Sequence, residues 1–380
     1  MLHGGEVYSG RTIEYDFSVN ISPLGIPDRV YEKLRENLHL LTRYPDRECS
    51  DLRRALSAYT GVPAQQILCG NGASELIEAA VRAAAPRSIL LTAPSFSGYR
   101  HAAEGAGAEI RYHDLRREED FALTERYLED LKGKPDMAIL CSPANPVGNL
   151  IDPALLIRIA EVCGRQGTWL MVDECFLGFI ESGEQRTMRR LLVPGWREPL
   201  VPGGGEPRIP GREQPSVPGA ERLLVLDAFT KRFAMPGVRL GYLMAQDPEI
   251  LDRIRAQQPE WSVSVPAQIA GIAALEADST AAGESGTGGY LQRARRLIAG
   301  ERKRMVKALE ALGFHVFPGE ANYIFFSSEK ELYEPLLSRG ILIRRCGNYR
   351  GLGEGDYRAA VLRPEENDQL LRALEEIVSA

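Results

Sequence analysis

The 380-residue chain is poor in histidine, with five, and in tryptophan, with three. Its six cysteines, at 49, 69, 141, 163, 175 and 346, form no CxxC pair and no Cys/His cluster with metal-ligand spacing, so no metal is expected. Cys69, Cys141 and Cys175 lie in or beside apolar segments and read as buried thiols, which suits a reducing, cytoplasmic compartment. The most apolar stretches, such as 89–93 and 169–172, stop at Pro, Asp or Glu, well short of the roughly 18 residues of a membrane helix. The N-terminus has neither the basic nor the apolar region of a signal peptide. No internal repeat or heptad run occurs. Basic residues do not cluster, and Lys+Arg at 46 against Asp+Glu at 52 gives a net charge of −6. That balance argues against a nucleic-acid or membrane-surface protein, and any anionic ligand must be met by local cations.

What is there is ordinary globular composition, 44% hydrophobic and 26% charged. The length suggests two to three domains at about 150 residues each. Apolar, β-branched runs at 88–92, 137–141, 168–172, 223–226 and 241–245 alternate with helical periods at 50–60, 74–84, 154–166 and 292–312. Strands separated by such helices indicate βαβ units and a mostly parallel sheet, an α/β fold. The C-terminal third, ending in an amphipathic pattern over 364–379, reads as a smaller α+β domain. The expected divisions are an N-terminal arm over 1–45, a large domain over 46–265 and a small domain over 266–380. Residues 193–219 hold Pro194, Pro199, Pro202, Pro207, Pro210, Pro215, Pro218 and Gly203-Gly204-Gly205, which reads as a surface-loop insertion in the large domain.

In parallel sheets ligand groups gather beyond the carboxyl ends of strands. Four segments there carry chemistry: Asn145-Pro146-Val147-Gly148, Asp173-Glu174-Cys175-Phe176, Thr230-Lys231, and Arg239 eight residues on. Earlier, Gly70-Asn71-Gly72-Ala73-Ser74 is a Gly-rich turn opening a helix, a ready phosphate seat to which Arg239 and Thr230 add donors. An Asp at a strand end stays ionised when paired with a cation such as a pyridinium nitrogen. A lysine in a site lined by Phe229 and Phe233 has its pKa lowered and suits Schiff-base chemistry.

The order and spacing of these segments resemble the fold-type I pyridoxal-phosphate enzymes of the class I/II aminotransferase superfamily. Within it the chain is similar to the histidinol-phosphate aminotransferase branch and most of all to the threonine-phosphate decarboxylases. The finer resemblance rests on His3-Gly4-Gly5, on 16–25, on Arg43-Tyr44-Pro45-Asp46, on Gln257-Gln258 with Trp261-Ser262-Val263, on 340–344, and on Asn348-Tyr349 with Tyr357-Arg358. It implies a large domain with a mostly parallel seven-stranded sheet, a smaller C-terminal domain, pyridoxal 5′-phosphate as cofactor and a homodimer with shared sites. Lys231 would carry the cofactor, Asp173 would face its ring nitrogen and Asn145 its ring oxygen, and Phe96 would stack on the ring. Ala73, Ser74, Thr230 and Arg239 would hold the cofactor phosphate, with Tyr44 reaching it from the neighbouring subunit. Arg358 would hold a substrate α-carboxylate; His3, Asn20 and Arg344 are the further substrate candidates, with His3 and Arg344 assigned to the substrate phosphate.

The implied reaction is decarboxylation of L-threonine O-3-phosphate to (R)-1-amino-2-propanol O-2-phosphate for corrinoid biosynthesis. The alternative is a histidinol-phosphate-type aminotransferase acting on a phosphorylated amino acid with 2-oxoglutarate. Three positions depart from the superfamily pattern: Ala228 stands three before the lysine where a hydroxyl is usual, Val147 replaces a threonine, and Phe176 replaces a tyrosine.

Overall fold

The computed structural model describes residue 10 and residues 12–193, 219–284 and 288–379. His3 and positions 194–218 of the expected insertion lie outside the described residues. Seven strands form the large sheet in the order Ile67–Gly70, Gly241–Ala245, Leu223–Ala228, Trp169–Asp173, Met137–Cys141, Ser88–Ala93 and Glu109–Asp114. Gly241–Ala245 runs antiparallel to both neighbours, and the remaining pairs are parallel. The sheet is covered on both faces, which is why its strands read as unbroken apolar runs. Alternate residues feed different cores: Leu90, Ala138, Leu140, Leu170 and Val172 enter one, while Ile89, Leu91, Ile139, Met171 and Leu224 enter the other.

The connecting helices carry local signals for their ends. Pro153–Gln166 begins with Asp152, whose carboxylate accepts the Leu155 N–H at 3.0 Å, and closes on Gly167 at φ 78°. The helix expected at 74–84 starts at Gly72 and lays Leu76, Ile77, Ala80 and Val81 on the sheet. Two strands of the large sheet escaped the sequence reading. Ile67–Gly70 is short, and Glu109–Asp114 is an edge strand whose alternating polar residues face solvent.

The smaller sheet is antiparallel, in the order Arg344–Arg345, Asp356–Ala360, Tyr323–Ser327 and His315–Val316. Helices Tyr290–Ala311 and Pro364–Ser379 bury Met305, Leu309, Leu370 and Leu374 against it. Tyr15–Asp16 pairs in parallel with Ile341–Leu342, tying the N-terminal segment to this domain. One expectation needs correction. Helix Val265–Glu284, placed by sequence almost wholly in the small domain, packs Ala267, Ala270, Ala273 and Leu275 into the large-domain core. The cores divide along Tyr290–Ala311 instead, since Tyr290 and Leu291 join the large core and Met305 and Leu309 the small one. No described helix is long and apolar enough to cross a membrane.

Candidate active site

The carboxyl ends of neighbouring strands bring the expected residues together. Cys141 and Asp173 are register partners, and Asp173 in turn pairs with Leu226, so Asn145, Asp173 and Lys231 follow three adjacent strand ends. Asp173 is 6% exposed and held from both sides. Its Oδ1 accepts the Cys175 N–H at 3.0 Å, and its Oδ2 accepts the Tyr99 hydroxyl at 2.6 Å. Burial and the nearby Asp173 charge push the Tyr99 phenol well above its ordinary pKa, so it remains a donor.

Lys231 sits in the short helix Phe229–Arg232 that follows its strand, and Phe229 and Phe233 are buried beside it. Burial, reinforced by the positive charges of Arg358 and Arg239, lowers its pKa to about 8. The amine is therefore substantially neutral near pH 8 and available as a nucleophile. Next to it in the chain, Arg232 forms a buried ion pair with Asp227, and the Tyr242 hydroxyl donates to Asp227 Oδ2 at 2.9 Å.

The Gly-rich turn and Arg239 meet. Gly72 has φ +80°, and a Cβ built there would lie 2.7 Å from Arg239 Nη2. Gly241 is equally constrained, because its Cβ would lie 2.8 Å from the Ala73 nitrogen. At Gly241 the backbone leaves no room for a side chain, and at Gly72 the positive φ favours glycine and the missing Cβ leaves the Arg239 guanidinium its place beside the helix N-terminus that carries Ala73 and Ser74. Thr230 is buried on the neighbouring helix. Glu75 is turned away from the cup: its Oε1 accepts from the Asn71 N–H, Gln258 Nε2 and Ser262 Oγ at 3.2, 2.7 and 3.0 Å. Gln258 and Ser262, from the 257–258 and 261–263 segments, are thus tied to the helix that opens at the Gly-rich turn. Phe96 caps helix Ser97–Gly105 and meets Tyr99 edge-on at 5.5 Å.

From the small domain, Arg358 donates to Asn145 Oδ1 at 2.6 Å and to the Ser18 carbonyl at 2.7 Å, and lies over the Tyr323 ring at 5.3 Å. Tyr323 donates to the Ala144 carbonyl at 2.8 Å and meets Phe176 edge-on at 5.2 Å. Arg344 is the cross-strand partner of Arg358. Its Nη2 donates to Asn348 Oδ1 at 2.9 Å. The two arginines are 6% and 5% exposed, and among the described residues neither has a carboxylate within ion-pair distance. Like charges directly opposite in a sheet repel, so the pair has the form of an anion site. Asn20 is buried close by in sequence to Ser18, and its Oδ1 has no hydrogen-bond partner among the described residues.

Tyr44 is 81% exposed, as Leu38, Leu41 and Trp261 are exposed, and its ring stacks at a tilt on Trp261 at 4.9 Å. Tyr99 and Tyr323 were not singled out in the sequence as site residues. The signal for Tyr99 was its place one helical turn after Phe96; Tyr323 had no local signal, being one aromatic among several in 323–326.

The family model for aminotransferase class I and II matches residues 12–374. The chain belongs to that family. Among curated members of the family, it is 35% identical to the threonine-phosphate decarboxylase of Salmonella typhimurium, covering 99% of this chain and 96% of that one. It is 34% identical to a histidinol-phosphate aminotransferase of Desulfitobacterium hafniense, covering 94% and 90%. The fold matches that of the histidinol-phosphate aminotransferase of Sinorhizobium meliloti solved with pyridoxal 5′-phosphate, with a TM-score of 0.80 at 20% identity over all of this chain and 95% of that one. The α/β fold with its mostly parallel seven-stranded sheet agrees with the sequence expectation.

Proposed function

We propose that the protein is a pyridoxal-phosphate-dependent decarboxylase of L-threonine O-3-phosphate, producing (R)-1-amino-2-propanol O-2-phosphate for corrinoid biosynthesis. The residues fit the cofactor: a glycine-lined cup under Arg239 suits its phosphate, a buried carboxylate at Asp173 suits its ring nitrogen, and a Lys231 amine lowered to about 8 suits its carbonyl. Ala73, Ser74, Thr230 and Arg239 would hold the phosphate, and Phe96, Asn145 and Asp173 the ring. Bound there, pyridoxal phosphate supplies an electron sink for a bond broken at the substrate α-carbon.

The observation that carries the substrate class is the buried pair Arg344 and Arg358, opposite one another with no carboxylate at ion-pair distance among the described residues. A substrate with two anionic groups offsets both. Arg358 binds the α-carboxylate and, through Asn145, keeps it aligned with the ring site. Arg344 binds the substrate phosphate together with His3, and Asn20 contributes a free acceptor to the substrate. Lys231 Nζ returns a proton to the α-carbon once CO2 has left. A second protomer covers Leu38, Leu41 and Trp261 and receives Tyr44 at its cofactor phosphate, making a homodimer with shared sites. Supporting the decarboxylase is the full-length relative at 35% identity.

The second reading, a histidinol-phosphate-type aminotransferase, has the relative at 34% identity in its favour. There Lys231 removes the α-proton instead. The test is incubation with pyridoxal phosphate and threonine phosphate without a 2-oxo acid. Release of CO2 with aminopropanol phosphate supports the decarboxylase; turnover that requires 2-oxoglutarate replaces it with the aminotransferase.

A further inference from the structure

The strand that carries Arg358 is pinned to the large domain at a second point. Arg117 opens the short helical turn Arg117–Glu119, just beyond the edge strand Glu109–Asp114 of the large sheet. Its guanidinium crosses to the small domain, where Nη2 meets Asp356 Oδ2 at 2.5 Å and Nη1 donates to Ser327 Oγ at 3.1 Å. Asp356 is buried, and it also accepts from Ser327 Oγ at 2.5 Å and from the Gly353 N–H at 2.8 Å. The guanidinium lies 5.3 Å from the Phe121 ring centre and 5.2 Å from that of Phe317. A second tie, Arg350 to Asp114 at 2.9 and 3.1 Å, is exposed on both sides and contributes less.

Strand residues two apart share a face. Asp356 and Arg358 are therefore neighbours on one side of the strand, and they pair with Ser327 and Phe325 across it. Asp356 is fixed to the large domain by Arg117, and Arg358 reaches the large domain at Asn145. Two anchors about 7 Å apart along one strand restrain its tilt as well as its distance. Arg344, opposite Arg358, is carried with it.

We propose that Arg117, through Asp356, is a positioning residue that sets Arg358 and Arg344 over the Lys231 site. This rests on the reading of Arg358 as the holder of the substrate carboxylate. The test uses holoenzyme with Arg117→Met, which keeps an apolar stem against Phe121 and Phe317, and with Arg117→Lys, which keeps the charge without the fork. The KM for threonine phosphate rises about 2- to 30-fold in Arg117→Met, with kcat little changed. The visible band of the bound cofactor is retained, and its pH midpoint moves upward as the Arg358 charge withdraws from Lys231. Arg117→Lys moves both readouts in the same direction by less, and serves alone if the methionine variant does not fold.

Arg358→Ala is measured in parallel. If it raises KM while Arg117→Met changes neither KM nor midpoint, the positioning role is overturned and the carboxylate reading stands. If Arg358→Ala leaves KM unchanged, the carboxylate reading fails and the proposal with it. A loss confined to thermal stability in the Arg117 variants also overturns the proposal.

Discussion

Buried arginines lie beside Lys231 in the chain and in the small domain, and they are treated differently. Beside Lys231, Arg232 meets Asp227 in a closed pair completed by the Tyr242 hydroxyl. In the small domain Arg344 and Arg358 face one another, and among the described residues their partners are amide, carbonyl and ring groups. A guanidinium taken out of water needs a counter-charge. Where the chain supplies it, the arginine belongs to the scaffold. Where it does not, a ligand must, and the charge left open marks the site.

The largest effect expected in this comparison falls on the lysine itself. Lys231→Ala should lower turnover by about a thousandfold or more, as removal of a reactive nucleophile does in other enzymes, and abolish the visible band of the covalently held cofactor. Absorbance and steady-state rates check it, and wild-type activity in the variant would remove the cofactor reading.

Next comes the closed pair. Arg232→Met leaves the Asp227 charge buried and unpaired, a change of about 3–5 kcal/mol. It should appear as a large drop in the denaturation midpoint, whereas Arg344→Ala and Arg358→Ala should lower it less, since each loses hydrogen bonds, to Asn348 or to Asn145 and Ser18, but relieves a repulsion. Calorimetry on the three variants decides whether the division holds.

The open pair should show itself in kinetics. A charge-assisted contact is worth about 1.5–3 kcal/mol, or roughly 10- to 150-fold in kcat/KM. Arg358→Ala should impair every amino-acid substrate, while Arg344→Ala should impair threonine phosphate and leave unphosphorylated threonine nearly untouched. Equal losses on both substrates for Arg344→Ala would make it a second carboxylate ligand.

The smallest effect is one of pH. Lys231 is lowered from 10.5 to about 8 by burial and then by Arg358 and Arg239. In cofactor-free protein its rate of reaction with pyridoxal phosphate should rise as pH climbs through about 8, because the neutral amine is the nucleophile. Removing the Arg358 charge should move that midpoint upward. A midpoint unmoved in Arg358→Ala would show that the open pair does not act on the lysine.

The large-domain half of the site was legible in the sequence. Asn145, Asp173 and Lys231 each follow an apolar strand within a few residues, so chain order alone places them at one sheet edge. Arg344 and Arg358 were named through resemblance, but their opposition was not readable, because the pairing of 344–345 with 356–360 is a long-range register. The same limit hid the domain membership of Val265–Glu284, whose alanine-rich face fits either core until packing selects one. Glu109–Asp114 was missed because its exposed charges erase the apolar run that marked the other strands.

The bare backbone at Gly72 has a consequence for cofactor choice. A side chain there would meet the end of Arg239, so the place of the guanidinium depends on the absence of a Cβ. Gly72→Ala, strained as well by its φ of +80°, should push the guanidinium aside and erase the advantage of the phosphorylated cofactor over plain pyridoxal. The preference for one vitamer would then reside less in the groups that touch the phosphate than in the one position from which a side chain is missing.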